Sequence, residues 1–300
     1  MNEEAIRAHW QENPVGESFV GRLADKFGDD HESFFEAYDA WYYGQQSHVL
    51  RSLDRFAWEG KEVLEIGLGQ GSDSEQLIRR GALWSGMDLT AESVNRVTRR
   101  LASRGLRHRA IAQASALEIP FGSGDFDTVF SHGVLHHIPD ILAAQREIRR
   151  VLKPDGRLII MVYAKNSLNY QLSIRLIRRM GLVVLYAYPY KLGCIYGAHV
   201  QNAKQAGLLN YLGMSNFVHR STDGPDNPYS KVYDRRLLQT DFPDFELLQT
   251  FKCYMHAPPL PVHRLPGERY LGWHLWAEFR PRGSAATNKH AVSQRGDRAG

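Results

Sequence analysis

A chain of 300 residues, 43% of them hydrophobic and 23% charged, is long enough to bury a large core, and its formal charge of +4 singles out no partner class. Two cysteines, Cys194 and Cys253, lie far apart and outside any C-x-x-C pair; this excludes a disulfide framework and a cysteine zinc site, so both read as buried thiols and no metal is expected. No run of about eighteen apolar residues occurs, and Met1-Asn2-Glu3-Glu4 has no basic region leading into an apolar core, so a cytoplasmic protein without a stable membrane insertion is expected.

Residues 1–60 carry five Lys and Arg against twelve Asp and Glu. Within them Trp10, Phe34, Phe35, Tyr38, Trp41, Tyr42 and Tyr43 make an aromatic segment. Helical spacing puts Phe34, Tyr38, Trp41 and Tyr42 on one face, which either packs onto a sheet or forms a lid over a site. Glu62 to Ile66 reads as a short buried strand. Gly67, Gly69 and Gly71 follow where a parallel strand must turn into a helix and let a ligand approach the backbone. That helix is expected over Ser74 to Arg80, with Gly81 as its cap. A second strand, Leu83 to Met87, brings Asp88 to the carboxyl edge of the sheet, about twenty residues after the first glycine, the spacing of an acid that binds a ribose.

Two cofactor classes share this spacing, and the loop separates them. A dinucleotide site needs glycine at the sixth position of G-x-G-x-x-G, where this chain has Ser72. Glu65 and Asp73 on either side of the glycines would repel a pyrophosphate, yet suit a ligand carrying an amino group and a sulfonium. The loop is therefore read as an S-adenosylmethionine site.

At this point the chain resembles the class I S-adenosylmethionine-dependent methyltransferases of the ubiquinone and menaquinone biosynthesis type, and the resemblance runs over roughly residues 60–163. Val63 to Gly71 resembles the first family motif and Asp88 its ribose acid. Ser115-Ala116-Leu117-Glu118-Ile119-Pro120-Phe121 is similar to D-A-x-x-L-P-F, with Ser115 in place of the acid that bonds adenine. Asp125 to Asp140 resembles the fourth-strand block, and Arg150 to Ile160 the helix, turn and fifth strand. Trp10 to Gly16 is similar to the W-x-x-x-P-C-G segment of some bacterial small-molecule methyltransferases, with Val15 replacing cysteine.

The resemblance implies an α/β fold with a Rossmann-like, doubly wound seven-stranded sheet, an antiparallel last strand and helical lid and cap elements. The expected organisation is an N-terminal helical lid over 1–58, a cofactor-binding core over 59–164, a helical cap over 165–220, the rest of the catalytic core over 221–281 and a disordered tail over 282–300. A helix over Tyr233 to Thr240 and a hairpin of strands Glu246 to Met255 and Gly272 to Phe279 are expected to complete the core. The stretch Leu172 to Tyr188, with Arg175, Arg178 and Arg179, reads either as an interfacial membrane helix or as a cap forming an apolar acceptor pocket. Gly181 and Pro189 interrupt it, which favours the cap.

Implied cofactor contacts are Glu65, Gly67, Gly69 and Asp73 at the amino-acid end, Asp88 at the ribose, Ser115 and Ala116 at adenine, and Ser131 or His132 near sulfur, with Gly71 and Leu89 completing the set. His136 and His137 stand beside the expected methyl position, where one serves as general base or both merely cap and pack. The polar loop from His219 to Tyr233 adds His219, Asp223 and Tyr229, either as acceptor contacts or as turn formers. The expected reaction is methyl transfer to a small apolar or aromatic acceptor, oxygen favoured over nitrogen or carbon, in bacterial specialised or lipid-like metabolism, leaving S-adenosylhomocysteine. A cyclase or decarboxylase that keeps the cofactor fold is the alternative. No contiguous basic face for nucleic acid is visible, and the oligomeric state is open.

Overall fold

The structure, a computed structural model, describes residues 3–14, 16, 26–188 and 193–283. Among the described residues, eight strands form one sheet: β1 (Glu62–Ile66), β2 (Leu83–Asp88), β3 (Ala110–Gln113), β4 (Phe126–His132), β5 (Leu152–Ala164), β6 (Val232–Tyr233), β7 (Phe245–Cys253) and β8 (His274–Pro281). Their order is β3-β2-β1-β4-β5-β8-β7, with β1 to β5 parallel and β8 antiparallel between β5 and β7. Seven strands make the expected path. The eighth, β6, is a two-residue addition in which the polar loop after residue 219 pairs with Tyr163 and Ala164. Strand order reverses at β1 and β4, so the crevice beyond their carboxyl ends is where this topology binds ligands.

The central strands are buried on both faces, as continuous apolar runs such as Leu158-Ile159-Ile160-Met161-Val162 require. One core holds Leu64, Ile66, Val129, Ile148, Leu158 and Phe279; the other holds Phe34, Tyr38, Trp84, Val97, Phe130 and Trp276. Polar side chains start the covering helices: Thr90 Oγ1 accepts from Ser93 N–H, and Asp140 and Asp234 accept in the same way from Ala143 and Leu237. The glycine-loop helix starts at Ser72, two residues earlier than the sequence suggests, because Gly71 at φ +80° caps it.

Two helical additions flank this sheet. The His31–Gln45 helix is bolted to the glycine-loop helix: Ser72 Oγ donates to Asp39 Oδ1 at 2.6 Å, and the buried Arg100 bridges Asp39 and Glu75 at 2.5 and 3.0 Å. Residues 169–222 form the second addition, beginning as a π-helix over Asn169–Arg178 and continuing through helices Arg179–Ala187, Cys194–Ala206, Leu208–Leu212 and Met214–Thr222. It has its own core of Ile174, Leu182, Val200, Tyr211 and Phe217, closed against Val232 and Trp273. Among the described residues, no helix is long and apolar enough to cross a membrane. Cys253 is a buried free thiol, pushed up to about 12 by burial, as the sequence suggests. The Cys194 side chain, Val15 and the expected tail from residue 284 lie outside the described residues.

Candidate active site

A cavity of about 320 Å³ opens beyond the carboxyl ends of β1, β2 and β4. Of the residues singled out from sequence, Glu65, Gly67, Gly69, Asp73, Asp88, Leu89, Ala116, His132, His137 and Asp223 all line it. Each reaches it for a local reason. Gly69, at φ +53°, has nothing within 4 Å of where a Cβ would stand, so its backbone is open to a ligand. Gly67 is required by the protein itself, since a Cβ there would fall 2.1 Å from Val134 Cγ2.

One end of the cavity is acidic. Glu65 is buried and accepts from Trp84 Nε1 at 2.7 Å; burial, reinforced by the charge of Asp73, pushes its carboxyl up to about 8. Asp73, in the first turn of the glycine-loop helix, accepts from His132 Nδ1 at 2.6 Å and from the Tyr42 hydroxyl at 3.3 Å. That leaves His132 Nε2 buried without a hydrogen-bond partner among the described residues. Asp88 ties the two loops together, accepting Leu68 N–H at 2.8 Å on one oxygen and Thr90 N–H and O–H at 2.8 Å on the other. Burial nevertheless holds its carboxyl above the usual range.

The other end is aromatic and carries a polar pair. Nδ1 of His137 donates to the Tyr229 carbonyl at 2.7 Å, which turns Nε2 toward Asp223 Oδ2 at 3.4 Å. Asp223 is held in turn by the Tyr163 hydroxyl, 2.6 Å from Oδ1. Among the described residues, neither His137 Nε2 nor Asp223 Oδ2 has a hydrogen-bond partner, although both atoms are buried. Trp10 meets the His137 ring edge-on at 5.0 Å, and Met161, Tyr163 and His274 complete the wall.

Six expected site residues do not line the cavity. Gly71 packs the helix instead, because a Cβ there would meet Arg100 and Val97 at 3.0 Å. Ser131 is buried, and its hydroxyl donates to the Ile66 carbonyl at 3.0 Å, joining β4 to β1. His136 is fully buried against Tyr163, ring centroids 4.1 Å apart, and burial drives its pKa well below the ordinary value. His219 Nδ1 lies 2.7 Å from the Ser230 carbonyl and 3.0 Å from its amide nitrogen, and the ring lies against that of Tyr229, so it shapes the loop. Tyr229 contributes its carbonyl rather than its phenol. Ser115 Oγ bonds the Glu3 carboxylate and receives Leu117 N–H at 3.0 Å.

Sequence reasoning missed Glu3, Tyr42, Tyr163 and His274 as wall residues. Only Tyr42 left a signal, in its aromatic helical stripe. The expectation that the 165–220 cap forms the acceptor pocket is also corrected. Among the described residues, the cavity is covered by Glu3, Ile6, Trp10, Tyr38, Tyr42 and Gln46 from the N-terminal helices, and by no residue of 165–222. His136, His137 and Asp223, for which no metal was expected, place ligand-type atoms within 4.8 Å of one another.

Residues 64–160 match the family described as "Methyltransferase domain". The chain is 35% identical over 111 residues to the chloroplastic tocopherol O-methyltransferase of Arabidopsis thaliana, covering 36% of this chain and 32% of that protein. It is 32% identical over 124 residues to the ubiquinone biosynthesis O-methyltransferase of Pseudomonas aeruginosa, covering 40% of this chain and 52% of that protein. The chain thus spans about a third to a half of the length of these relatives. A solved S-adenosylmethionine dependent methyltransferase from Mesorhizobium loti shares the fold, with a TM-score of 0.51 at 12% identity over 79% of this chain and 97% of that one. Together with the strand order and the glycine loop, these matches identify residues 64–160 as a methyltransferase domain of the Rossmann-like class.

Proposed function

We propose that this protein transfers a methyl group from S-adenosylmethionine to a hydroxyl oxygen of a small apolar acceptor, releasing S-adenosylhomocysteine. The observation that carries the reading is one cavity with two chemically different ends, acids and an open glycine at one and His137 facing Asp223 among aromatic rings at the other. The residues suit the cofactor: Glu65 and Asp73 match a cationic amino-acid group, Gly69 has open space where a Cβ would stand, and Asp88 lines the cavity at the end of β2, where a ribose would meet a carboxylate. Ala116 and Leu117 offer an apolar wall for adenine. Glu3, bonded to Ser115 and lining the cavity, supplies there the carboxylate that Ser115 lacks.

When bound, the cofactor supplies a methyl electrophile on a sulfonium. The protein must then orient the hydroxyl, keep water out and take the proton. Because Nδ1 donates to the Tyr229 carbonyl, Nε2 of His137 carries the lone pair, and the acceptor's proton passes to it. Asp223 then faces an imidazolium and stabilises it, while Tyr163 fixes the carboxylate. Trp10 and the N-terminal helices form one wall of the cavity. An oxygen acceptor accords with the names of the two relatives, and the aromatic wall with an apolar ring.

Calorimetric titration with S-adenosylmethionine, S-adenosylhomocysteine and NAD tests the cofactor reading. Binding of the adenosyl ligands alone supports it, and binding of NAD alone overturns it. Phenolic acceptors assayed for methylated product then test the oxygen target, and a product methylated only at nitrogen or carbon would sink it.

A further inference from the structure

The helices that leave the cavity unlined have an outward face with no role in the proposed chemistry. Residues 165–222 contain seven Lys and Arg and no Asp or Glu; Lys165 pairs with Asp234 and Arg178 turns inward onto the Pro258 and Ser221 carbonyls, whereas Arg175 and Lys204 are exposed. Within this segment, Ile174 and Leu182 point into the local core. Leu176, Met180, Val183, Val184 and Tyr188 are 52%, 68%, 44%, 59% and 78% exposed. The spacing of the first four, by four, three and one residues, places them in one stripe along the Asn169–Arg178 and Arg179–Ala187 helices, and Tyr188 follows just past the second helix's end. The stretch is therefore apolar on two sides, buried on one and solvent-facing on the other. The exposed Arg175 borders the outer stripe, and Ile195 and Tyr196 are exposed at the start of the Cys194–Ala206 helix that packs beside it.

We propose that this face docks the protein peripherally on an anionic lipid bilayer. Two occupants compete for an exposed apolar stripe, and charge separates them. A second copy meeting the same face across a two-fold axis would set one acid-free basic segment against another. An anionic bilayer offers hydrocarbon to the stripe and negative headgroups to the exposed Arg175 and Lys204 at once. The stripe is too short to span, in keeping with the absence of any crossing helix among the described residues. Burying side chains five to ten ångströms deep, as interfacial helices do, needs only the outer half of one helix, which is what this surface presents (roughly 5–10 Å).

The test is co-sedimentation of the full chain with vesicles of phosphatidylcholine alone or with about a third phosphatidylglycerol, at low and high salt. Binding to the anionic vesicles, weakened by salt and absent with phosphatidylcholine alone, is expected. The double variant Met180→Gln, Val184→Gln should lose roughly tenfold in vesicle affinity, and Arg175→Gln a smaller part of it. Calorimetric S-adenosylmethionine binding serves as the folding control, so that failure of the cofactor reading and failure of docking register separately. No vesicle binding at low salt overturns the inference. So does binding unchanged in both variants, which would assign it to another basic segment such as the one containing Lys289, Arg295 and Arg298. A dimer in sedimentation velocity that the double variant dissociates would give the face to a second copy and equally overturn it.

Discussion

The two helical additions look alike in sequence, both aromatic and both outside the methyltransferase core, yet they do opposite things. The N-terminal helices turn their aromatic residues inward: Trp10, Tyr38 and Tyr42 line the cavity, and Asp39 and Tyr43 tie the segment to the glycine-loop helix. The 169–222 helices enclose a separate small core and turn a second apolar stripe outward. Their charge follows the same division, acidic over residues 1–60 and free of acids over 165–222. Similar composition thus conceals a difference in direction, and direction decides which addition lines the cavity.

The largest effect is expected at the seam where the second addition ends and Asp223 meets His137. His137→Gln should lower turnover by about 10²- to 10⁴-fold while cofactor affinity in calorimetry is unchanged. Unchanged turnover would remove His137 from the reaction. Chelator-treated protein should keep its activity; a loss restored by zinc would transfer the activating role from the pair to an ion held by the His136, His137 and Asp223 cluster.

Within the N-terminal addition, Glu3→Gln replaces a carboxylate at the adenine end with a neutral amide. S-adenosylmethionine affinity should fall by about tenfold, the scale of one charge-assisted hydrogen bond. An unaltered dissociation constant would return Glu3 to a purely packing role.

A smaller, pH-dependent effect follows from Glu65. Its carboxyl keeps its proton up to about 8 in the fold and releases it near 4.5 when unfolded, so its burial costs more stability as pH rises through that window. A cationic ligand group favours the ionised form, so cofactor affinity should rise between pH 6 and 8, by at most about tenfold per unit. Glu65→Gln should flatten that dependence, and a flat profile in the parent protein would break the assignment of Glu65 to the ligand's cationic end.

The smallest expected effect sharpens the contrast most. Met180→Gln with Val184→Gln should leave cofactor affinity and turnover of a water-soluble acceptor within about twofold, since surface changes away from a site rarely exceed about 0.5 kcal/mol. A tenfold loss of turnover in solution would show that the outer stripe communicates with the cavity after all.

The local and periodic part of this protein is legible in its residues. The apolar runs marked the strands, and Gly67, Gly69 and Gly71 marked the turn, because a strand that must become a helix beside a ligand leaves few residue choices. Asp88 followed from its distance along the chain. The tertiary structure alone decided what lies across that chain: Glu3 beside Ser115, Tyr42 between Asp73 and His132, and Asp223 opposite His137. It also withdrew Ser131, His136 and His219 from the cavity and left the 165–222 helices outside it. Such pairings join residues tens to more than a hundred positions apart, and they depend on the angles at which helices dock. Neither periodicity nor spacing encodes those angles, which packing sets only when all the layers close together.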